Sequence, residues 1–284
     1  MKLLTFDAGN GPRLGLATDS GIVDLTARTG VVSLRLLIAA GRVADMAKFA
    51  DDKPDHGLDA VRYLPPITDP AHIFCIGVNY SDHLQEAIDL GLPRGKTEHP
   101  VIFSRFADSL VGHNQPLMKS PVVEQFDYEC ELAAIIGTPG RYIKPEDALS
   151  HVAGYACFNE ASARDWQYHT QQIIPGKNFF GTGGFGPWMV TADEIPDVQN
   201  LDIRTVLNGE TLQHSNTAKM IFDTKTIIAY VSNIVPLQPG DIIATGTPEG
   251  VGMSRKPQIW MKPGDSCVIE IEKVGRLVNG VAEG

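Results

Sequence analysis

Residues 126–137, FDYECELAAIIG, place two glutamates directly before a continuous apolar run. In an extended strand successive side chains alternate between faces, so Glu129 and Glu131 project on the same side. Two close carboxylates repel each other unless a cation lies between them. Oxygen ligands suit a hard divalent ion, Mg²⁺ or Mn²⁺, better than zinc. An acidic face on an exposed strand is the alternative, but the run 132–136 predicts a buried strand, in which unpaired carboxylates are costly.

Composition and charge exclude several classes of protein. The chain has 284 residues, of which 43% are hydrophobic and 20% charged, enough for one large domain or a large and a small one. A net charge of −10 opposes nucleic-acid binding. We expect a cytoplasmic protein with no membrane partner, because no apolar run is long enough to span a bilayer and the chain start lacks a signal-peptide stretch. The four cysteines are far apart and predict neither a disulfide framework nor a zinc cluster.

The chain divides into two predicted units. Residues 1–66 contain short strand-like stretches and a helical pattern over 33–49, and Pro65-Pro66 marks their end. Residues 67–284 contain short apolar strands separated by Gly/Pro turns, and one longer helix over 224–233. The predicted strands cover 73–78, 101–103, 133–137, 151–158, 186–190, 203–208, 241–245 and 266–272. This pattern predicts a β-rich α+β fold.

One glycine-rich segment imitates a cofactor motif. Residues 181–186, GTGGFG, satisfy G-x-G-x-x-G. No strand is predicted before them, and Pro187 follows where a helix would have to open. The segment is therefore interpreted as a tight loop, not as a dinucleotide fingerprint.

Five ordered segments carry a family resemblance. They are residues 77–86 (GVNYSDHLQE), 127–132 (DYECEL), 159–167 (NEASARDWQ), 175–179 (PGKNF) and 237–248 (LQPGDIIATGTP). Together they resemble the fumarylacetoacetate hydrolase family, especially its bacterial acylpyruvate-hydrolase branch, from about residue 73 to residue 278. The resemblance implies a mixed β-roll catalytic domain, a homodimer, and metal-dependent cleavage or decarboxylation of 2,4-diketo or β-keto acids. Residues 1–66 resemble the variable amino-terminal domain of the family only loosely.

The resemblance implies a set of metal ligands. These are Glu129, Glu131 and Glu160, around Mg²⁺ or Mn²⁺. The family usually has Asp at the third position. Glutamate keeps the charge but adds a methylene, so either the backbone retreats or the carboxylate binds the ion differently.

The resemblance also implies a catalytic pair and substrate contacts. His83 and Glu86 are three residues apart and can share one face of a helical turn. Alone they would be an ordinary surface pair, but the resemblance makes them the general base and its orienting carboxylate. It further assigns binding of the substrate carboxylate and the developing oxyanion to Arg164, Gln167, Lys177 and Thr247, with Lys177 also catalytic.

The preferred function is hydrolysis of a C–C bond in an acylpyruvate-like 2,4-diketo acid, which releases pyruvate and a carboxylic acid. Hydrolysis needs an activated water, whereas decarboxylation needs only an electron sink, so the pair His83/Glu86 favours hydrolysis. The alternatives are a decarboxylase of oxaloacetate-like acids, an isomerase of unsaturated keto acids, and an inactive binding protein, which the change at Glu160 makes conceivable.

Overall fold

The computed structural model describes residues 1–91 and 98–284. Within these ranges the strands are β1 (Lys2–Asp7), β2 (Pro12–Thr18), β3 (Gly21–Asp24), β4 (Arg62–Leu64), β5 (Ile73–Gly77), β6 (Val101–Ser104), β7 (Leu110–Val111), β8 (Leu117–Lys119), β9 (Phe126–Asp127), β10 (Cys130–Ile136), β11 (Val152–Asn159), β12 (Ser162–Ala163), β13 (Gly183–Thr191), β14 (Asp202–Leu207), β15 (Glu210–Asn216), β16 (Ile242–Ala244), β17 (Ser266–Ile271) and β18 (Gly275–Glu283).

The helices of the same residues are fewer. They are α1 (Leu25–Thr29), α2 (Leu34–Ala39), α3 (Ser81–Asp89), α4 (Arg164–Gln167), α5 (Ile174–Lys177) and α6 (Thr224–Ile234). Short 3-10 helices cover Ala44–Phe49, Ala107–Ser109, Ala148–His151, Ala192–Glu194, Thr217–Lys219 and Gly252–Ser254. In the part of the chain that the structure describes, no helix combines the length and apolar character needed to cross a membrane.

Two sheets enclose the main core. The larger has the order β3-β2-β1-β13-β11-β10-β16-β5-β6, with β4 added at β1 and β7 at β13. The smaller has the order β15-β14-β17-β18-β8. Strands β10 and β11 pack on β14 and β17, and Leu132, Ala134, Ile203 and Ile269 share the core between them. The strand-rich α+β class predicted from the sequence is confirmed.

Strand β10 is buried on both faces, as its apolar run predicts. Leu132 and Ala134 face the core between the sheets, whereas Ala133 and Ile135 belong to a second apolar cluster on the other face. Helix α2 contributes to that second cluster through Leu34. Glu131 has the same parity as Ala133, so it lies on this second face. One end of β10 thus brings carboxylates into an apolar layer.

The amino-terminal strands continue the larger sheet. Strand β1 pairs with β13 through Lys2 opposite Val190 and Leu3 opposite Met189. The second apolar cluster likewise contains Leu3 together with Phe185. The sheet and its core therefore run across the predicted boundary after residue 66, and the division into residues 1–66 and 67–284 stays a prediction.

Most predicted elements are present, and two need correction. The strands predicted after residue 66 are found with ends shifted by up to three residues, and the helix predicted at 224–233 is α6. The single helix expected over 33–49 is wrong: it stops at Ala39, and Gly41, a weak helix former, lies in the turn before the 3-10 helix Ala44–Phe49. The glycine-rich segment is also only partly a loop, because β13 begins at Gly183 and pairs with β7.

Candidate metal and substrate site

Three glutamates meet at one end of β10 and β11. The strands are antiparallel with Cys130 opposite Asn159, so the residue before one strand meets the residue after the other. The Glu160 amide donates to the Glu129 carbonyl (2.9 Å), and the Glu129 amide donates to Asn159 Oδ1 (3.1 Å). One carboxylate oxygen each from Glu129, Glu131 and Glu160 lies within 4.8 Å of the others, and all three residues are buried.

The buried charges around these glutamates suit a divalent cation. At this place the fully or almost fully buried charged residues are four acids and three cations: Asp127, Glu129, Glu131, Glu160, Arg105, Arg164 and Lys177. With every group ionised the cluster carries one excess negative charge. Oxygen-only donors and an excess negative charge in a buried place are what Mg²⁺ or Mn²⁺ requires, so the residues present fit the predicted ion.

Both cationic residues predicted for the site, Arg164 and Lys177, contact the glutamates directly. Lys177 Nζ donates to Glu129 Oε2 (3.0 Å) and to Glu160 Oε2. Arg164 Nε donates to Asp127 Oδ2 (2.8 Å), and its Nη2 lies 2.6 Å from Glu129 Oε1. This Nη2 has no hydrogen bond of good geometry within the described residues, so a buried donor is left for a ligand oxygen.

The three glutamates differ in pKa because their surroundings differ. Burial, and then the charges of Glu160 and Glu129, raise the pKa of Glu131 well above its ordinary value. Burial also raises the pKa of Glu160. Burial acts in the same direction on Glu129, but the charges of Lys177 and Arg164 outweigh it and hold the pKa of that carboxyl below its ordinary value. Of the three, Glu131 is the carboxylate whose ionised form its surroundings support least, and it accepts a hydrogen bond from the Gly246 amide (2.8 Å).

A backbone contact fixes the helices that carry the two cations. Helix α4 begins at Arg164 and helix α5 ends at Lys177. An ideal Cβ at Gly176 would lie 2.6 Å from Gln167 Cα and 2.7 Å from the Ala163 carbonyl oxygen, closer than real Cβ atoms approach. Only glycine permits this packing of α5 on α4, and the packing sets the position of Lys177 relative to Arg164.

His83 and Glu86 form a second polar group, on helix α3. His83 Nδ1 and Glu86 Oε2 are 3.1 Å apart, and the other oxygen of Glu86 accepts from the Gly250 amide (2.8 Å) and Ser254 Oγ (2.9 Å). Burial favours the neutral form of Glu86, but the hydrogen bond with His83 and that from Gly250 lower its pKa. An ionised Glu86 that contacts Nδ1 orients the imidazole and leaves Nε2 for a ligand.

All nine residues predicted for the site line one cavity: His83, Glu86, Glu129, Glu131, Glu160, Arg164, Gln167, Lys177 and Thr247. The other walls are mostly apolar and include Ile173 and Met253. Gln167 accepts from Arg164 Nη1 (3.0 Å). Thr247 Oγ1 accepts from Gln213 Nε2 (2.9 Å), which leaves its hydroxyl hydrogen to donate elsewhere. The structure therefore brings these residues together, while their chemical roles stay predictions.

Sequence reasoning missed three residues that support this cavity. Arg105 Nε donates to Glu160 Oε1 (2.7 Å), Asp127 binds Arg164, and Ser254 binds Glu86. Asp127 opens the segment 127–132, but the family resemblance assigns it no role. Arg105 comes two residues after the predicted strand 101–103, and no local pattern in the sequence marks it as buried.

Comparison with known proteins identifies the class. The sequence model described as "Fumarylacetoacetate (FAA) hydrolase C-terminal" matches residues 72–282. The chain therefore belongs to the fumarylacetoacetate hydrolase family, as its five sequence segments predict.

Three similar proteins span different activities. A protein of Bos taurus named "Oxaloacetate tautomerase FAHD2A, mitochondrial" is 40% identical over 293 residues, covering 99% of this chain and 91% of the relative. The crystal structure of maleylpyruvate hydrolase from Sphingobium sp. SYK-6, in complex with manganese(II) and pyruvate, has a TM-score of 0.83 and 30% identity, with both chains fully covered. Fumarylacetoacetate hydrolase from Exiguobacterium antarcticum has a TM-score of 0.84 and 36% identity, again with both chains fully covered.

Proposed function

We propose that this protein is a divalent-metal-dependent enzyme that interconverts the enol and keto forms of an oxaloacetate-like 2-oxo acid. The observation that carries the proposal is one cavity in which the buried glutamates face the pair His83/Glu86. The choice among reactions of this family is supported by the 40% identity to the bovine oxaloacetate tautomerase over almost the whole chain. The isomerase alternative is therefore favoured over the hydrolysis expected from the sequence.

The metal ligands in this proposal are Glu129, Glu131 and Glu160, around Mg²⁺ or Mn²⁺. When bound, such an ion supplies Lewis acidity that polarises a 2-oxo group and makes the neighbouring C–H bonds more acidic. The manganese in the related maleylpyruvate hydrolase structure supports this class of ion.

The protein's own groups would bind the acid and move one proton. Arg164 and Lys177 offer buried positive charge to a substrate carboxylate, with Gln167 and Thr247 as neutral partners. In the enol-to-keto direction His83 delivers a proton to C3, the hydroxyl on C2 releases one to solvent, and His83 regains its proton from solvent. In the reverse direction His83 takes the proton from C3 and the oxygen on C2 gains one from solvent. Glu86 keeps the imidazole oriented during both steps. No water is consumed, and the apolar walls limit its access to the reacting carbon.

Hydrolysis of an acylpyruvate is the second candidate, because the same His83 can activate a water. In that reaction the water oxygen adds to the C4 carbonyl carbon, the C3–C4 bond breaks, and C3 gains a proton, so pyruvate and a carboxylic acid result. The maleylpyruvate hydrolase among the related structures supports this candidate. Decarboxylation of oxaloacetate would instead release carbon dioxide.

Product identification distinguishes these reactions. Purified protein with Mn²⁺ is added to freshly dissolved enol-oxaloacetate and, separately, to a panel of acylpyruvates, with Mn²⁺ alone and the His83→Ala variant as controls. We expect the ultraviolet absorbance of the enol to decay faster than with Mn²⁺ alone, without more pyruvate or carbon dioxide than Mn²⁺ alone releases. Pyruvate plus a carboxylic acid as the favoured products would establish hydrolysis instead, and decay at the Mn²⁺-alone rate would contradict the tautomerase proposal.

The assembly and compartment expected from the sequence remain proposals. We retain a homodimer, which sedimentation of the purified protein would test. The cytoplasmic location expected from the sequence must be weighed against the mitochondrial name of the bovine relative, and microscopy of a tagged full-length chain in its native host would decide the compartment.

A further inference from the structure

We infer that Arg105 is a positioning residue for Glu160: it holds one oxygen of this carboxylate and directs the other toward the metal position. The inference rests on the metal site of the proposed function. Arg105 is 3% exposed and Glu160 is fully buried, so neither side chain can exchange its partner for bulk water. A group held this way keeps one geometry.

The two oxygens of Glu160 have different partners. Oε1 accepts from Arg105 Nε at 2.7 Å, whereas Oε2 contacts Lys177 on the side of the other glutamates. Arg105 is itself fixed at its other nitrogens. Its Nη2 donates to the Ala161 carbonyl, and its Nη1 lies 3.4 Å from both Ser109 Oγ and Thr182 Oγ1. The guanidinium therefore leaves one oxygen of Glu160 for the metal position.

This arrangement accounts for a glutamate at position 160. The extra methylene extends the carboxylate by about 1.5 Å relative to aspartate, one C–C bond. With that length one oxygen stays on Arg105 while the other remains among Glu129 and Glu131. A shorter side chain on the same backbone would have to release either the guanidinium or the metal position.

The glycine-rich segment that imitates a dinucleotide motif makes room for Arg105. An ideal Cβ at Gly183 would lie 2.7 Å from Arg105 Nη1 and 2.9 Å from Leu110 Cδ2. Gly183 pairs with Leu110 between strands β13 and β7, where a glycine is otherwise unfavourable. The position is thus explained by the guanidinium beside it.

Calorimetric titration with Mn²⁺ tests the inference without an activity assay. The proteins are wild type, Arg105→Gln, Arg105→Lys, Glu160→Gln and the double variant Arg105→Gln/Glu160→Gln. The matched control is Arg204→Gln, which breaks an exposed Arg–Glu pair with Glu270 on the other sheet. Thermal unfolding and circular dichroism establish that each variant is folded.

We expect Arg105→Gln to weaken Mn²⁺ binding about 10–100-fold, the usual effect of removing a partner that orients a ligand. Arg105→Lys keeps the charge but lacks the several donors of the planar guanidinium, so its loss of Mn²⁺ affinity should be intermediate. Arg204→Gln should bind Mn²⁺ like the wild type. In the Glu160→Gln background, removal of Arg105 should cause little further loss, because the group through which it acts is already altered.

Three results would overturn the inference. Wild-type affinity in folded Arg105→Gln would show that Arg105 does not position a ligand. If Arg105→Gln lowered the Mn²⁺ affinity equally in the wild type and in the Glu160→Gln variant, Arg105 would act through general packing and not through Glu160. Absence of Mn²⁺ binding by the wild type would refute the proposed metal site and this inference together, whereas the first two results leave the metal site intact.

Gly183→Ala keeps the inference testable if Arg105→Gln does not fold. The added methyl group crowds Arg105 without changing any charge, so Mn²⁺ binding should weaken severalfold in a folded protein. Unchanged affinity in Gly183→Ala would then overturn the role of Arg105.

Discussion

The glutamate cluster and the His83/Glu86 pair line one cavity but are built differently. Glu129, Glu131 and Glu160 are at most 4% exposed and lie at the ends of two central strands. The side chains of His83 and Glu86 are 12% and 24% exposed, on a helix of nine residues. Ion pairs hold the cluster, whereas the Gly250 amide and the Ser254 hydroxyl, both neutral, hold one oxygen of Glu86.

This difference separates binding from proton transfer. A buried cluster with uncompensated charge suits a tightly held ion, and altering any member leaves another charge unpaired. Among the described residues this pair has no hydrogen bond or ion pair to the cluster, and it is partly exposed, so it can exchange protons with the ion in place. Changes in the cluster should therefore alter metal binding, and changes in the pair should alter turnover alone.

Metal removal should have the largest effect. Chelation should reduce activity to the background rate, and Mg²⁺ or Mn²⁺ should restore it. Added Mn²⁺ should also stabilise the fold, by about 2.7 kcal/mol at a free concentration one hundred times the Kd. Activity assays and thermal unfolding of metal-free protein measure both effects; full turnover in protein shown to be metal-free would refute the role of the cluster.

The His83→Ala substitution should have the next largest effect. Turnover should fall roughly 10²–10⁴-fold, the usual consequence of losing a general base, while Mn²⁺ affinity stays at the wild-type value. Steady-state kinetics and calorimetry provide the two numbers, with exposed His214→Ala on β15 as the control. A matching loss of Mn²⁺ affinity would remove the distinction between the two regions.

The Ser254→Ala substitution should have a smaller effect on the same pair. Glu86 would lose one of two hydrogen bonds to Oε1, worth about 1 kcal/mol, so we expect kcat to fall roughly fivefold. The control is Ser150→Ala, whose hydroxyl makes a local bond to the Asp147 carbonyl on the surface. An unchanged kcat would show that the Gly250 amide alone fixes Glu86.

Substitution of His113, which lies outside both regions, should leave turnover unchanged and alter only the pH dependence of stability. Burial, followed by the charge of Arg276, lowers the pKa of His113 to about 4 from 6.5, so its protonation favours the unfolded chain. Its contribution to stability is complete above pH 6.5 and is lost as the pH falls toward 4, at about 1.4 kcal/mol per pH unit.

The His113→Asn variant measures that contribution. In the wild type, His113 Nδ1 accepts a hydrogen bond from the Val278 amide (3.1 Å). Asparagine can still accept this bond, but it does not titrate. Denaturant unfolding across this pH range should show a shallower loss of stability in the variant, with wild-type kcat at neutral pH. Identical pH profiles would exclude the contribution of His113.

The features of this molecule that depend on local sequence patterns could be predicted, whereas those that depend on contacts between distant residues could not. Alternation in 126–137 placed Glu129 and Glu131 on one face, and helical spacing placed His83 beside Glu86. The contact between Arg105 and Glu160 spans 55 residues, and no local pattern marks that arginine as buried. The pairing of β1 with β13 joins residues that are even farther apart in sequence, such as Lys2 and Val190. Such contacts depend on how whole sheets assemble, which short-range periodicity does not encode.

The backbone contact at Gly176 limits how this sequence can vary through evolution. Gly176 has no functional group, yet any side chain there would meet the Gln167 backbone and separate the helices that carry Arg164 and Lys177. In a library of all single substitutions selected for activity, position 176 should accept glycine alone and be as intolerant as the glutamates. Retention of this site during evolution thus requires glycine at position 176 as much as it requires the charged residues.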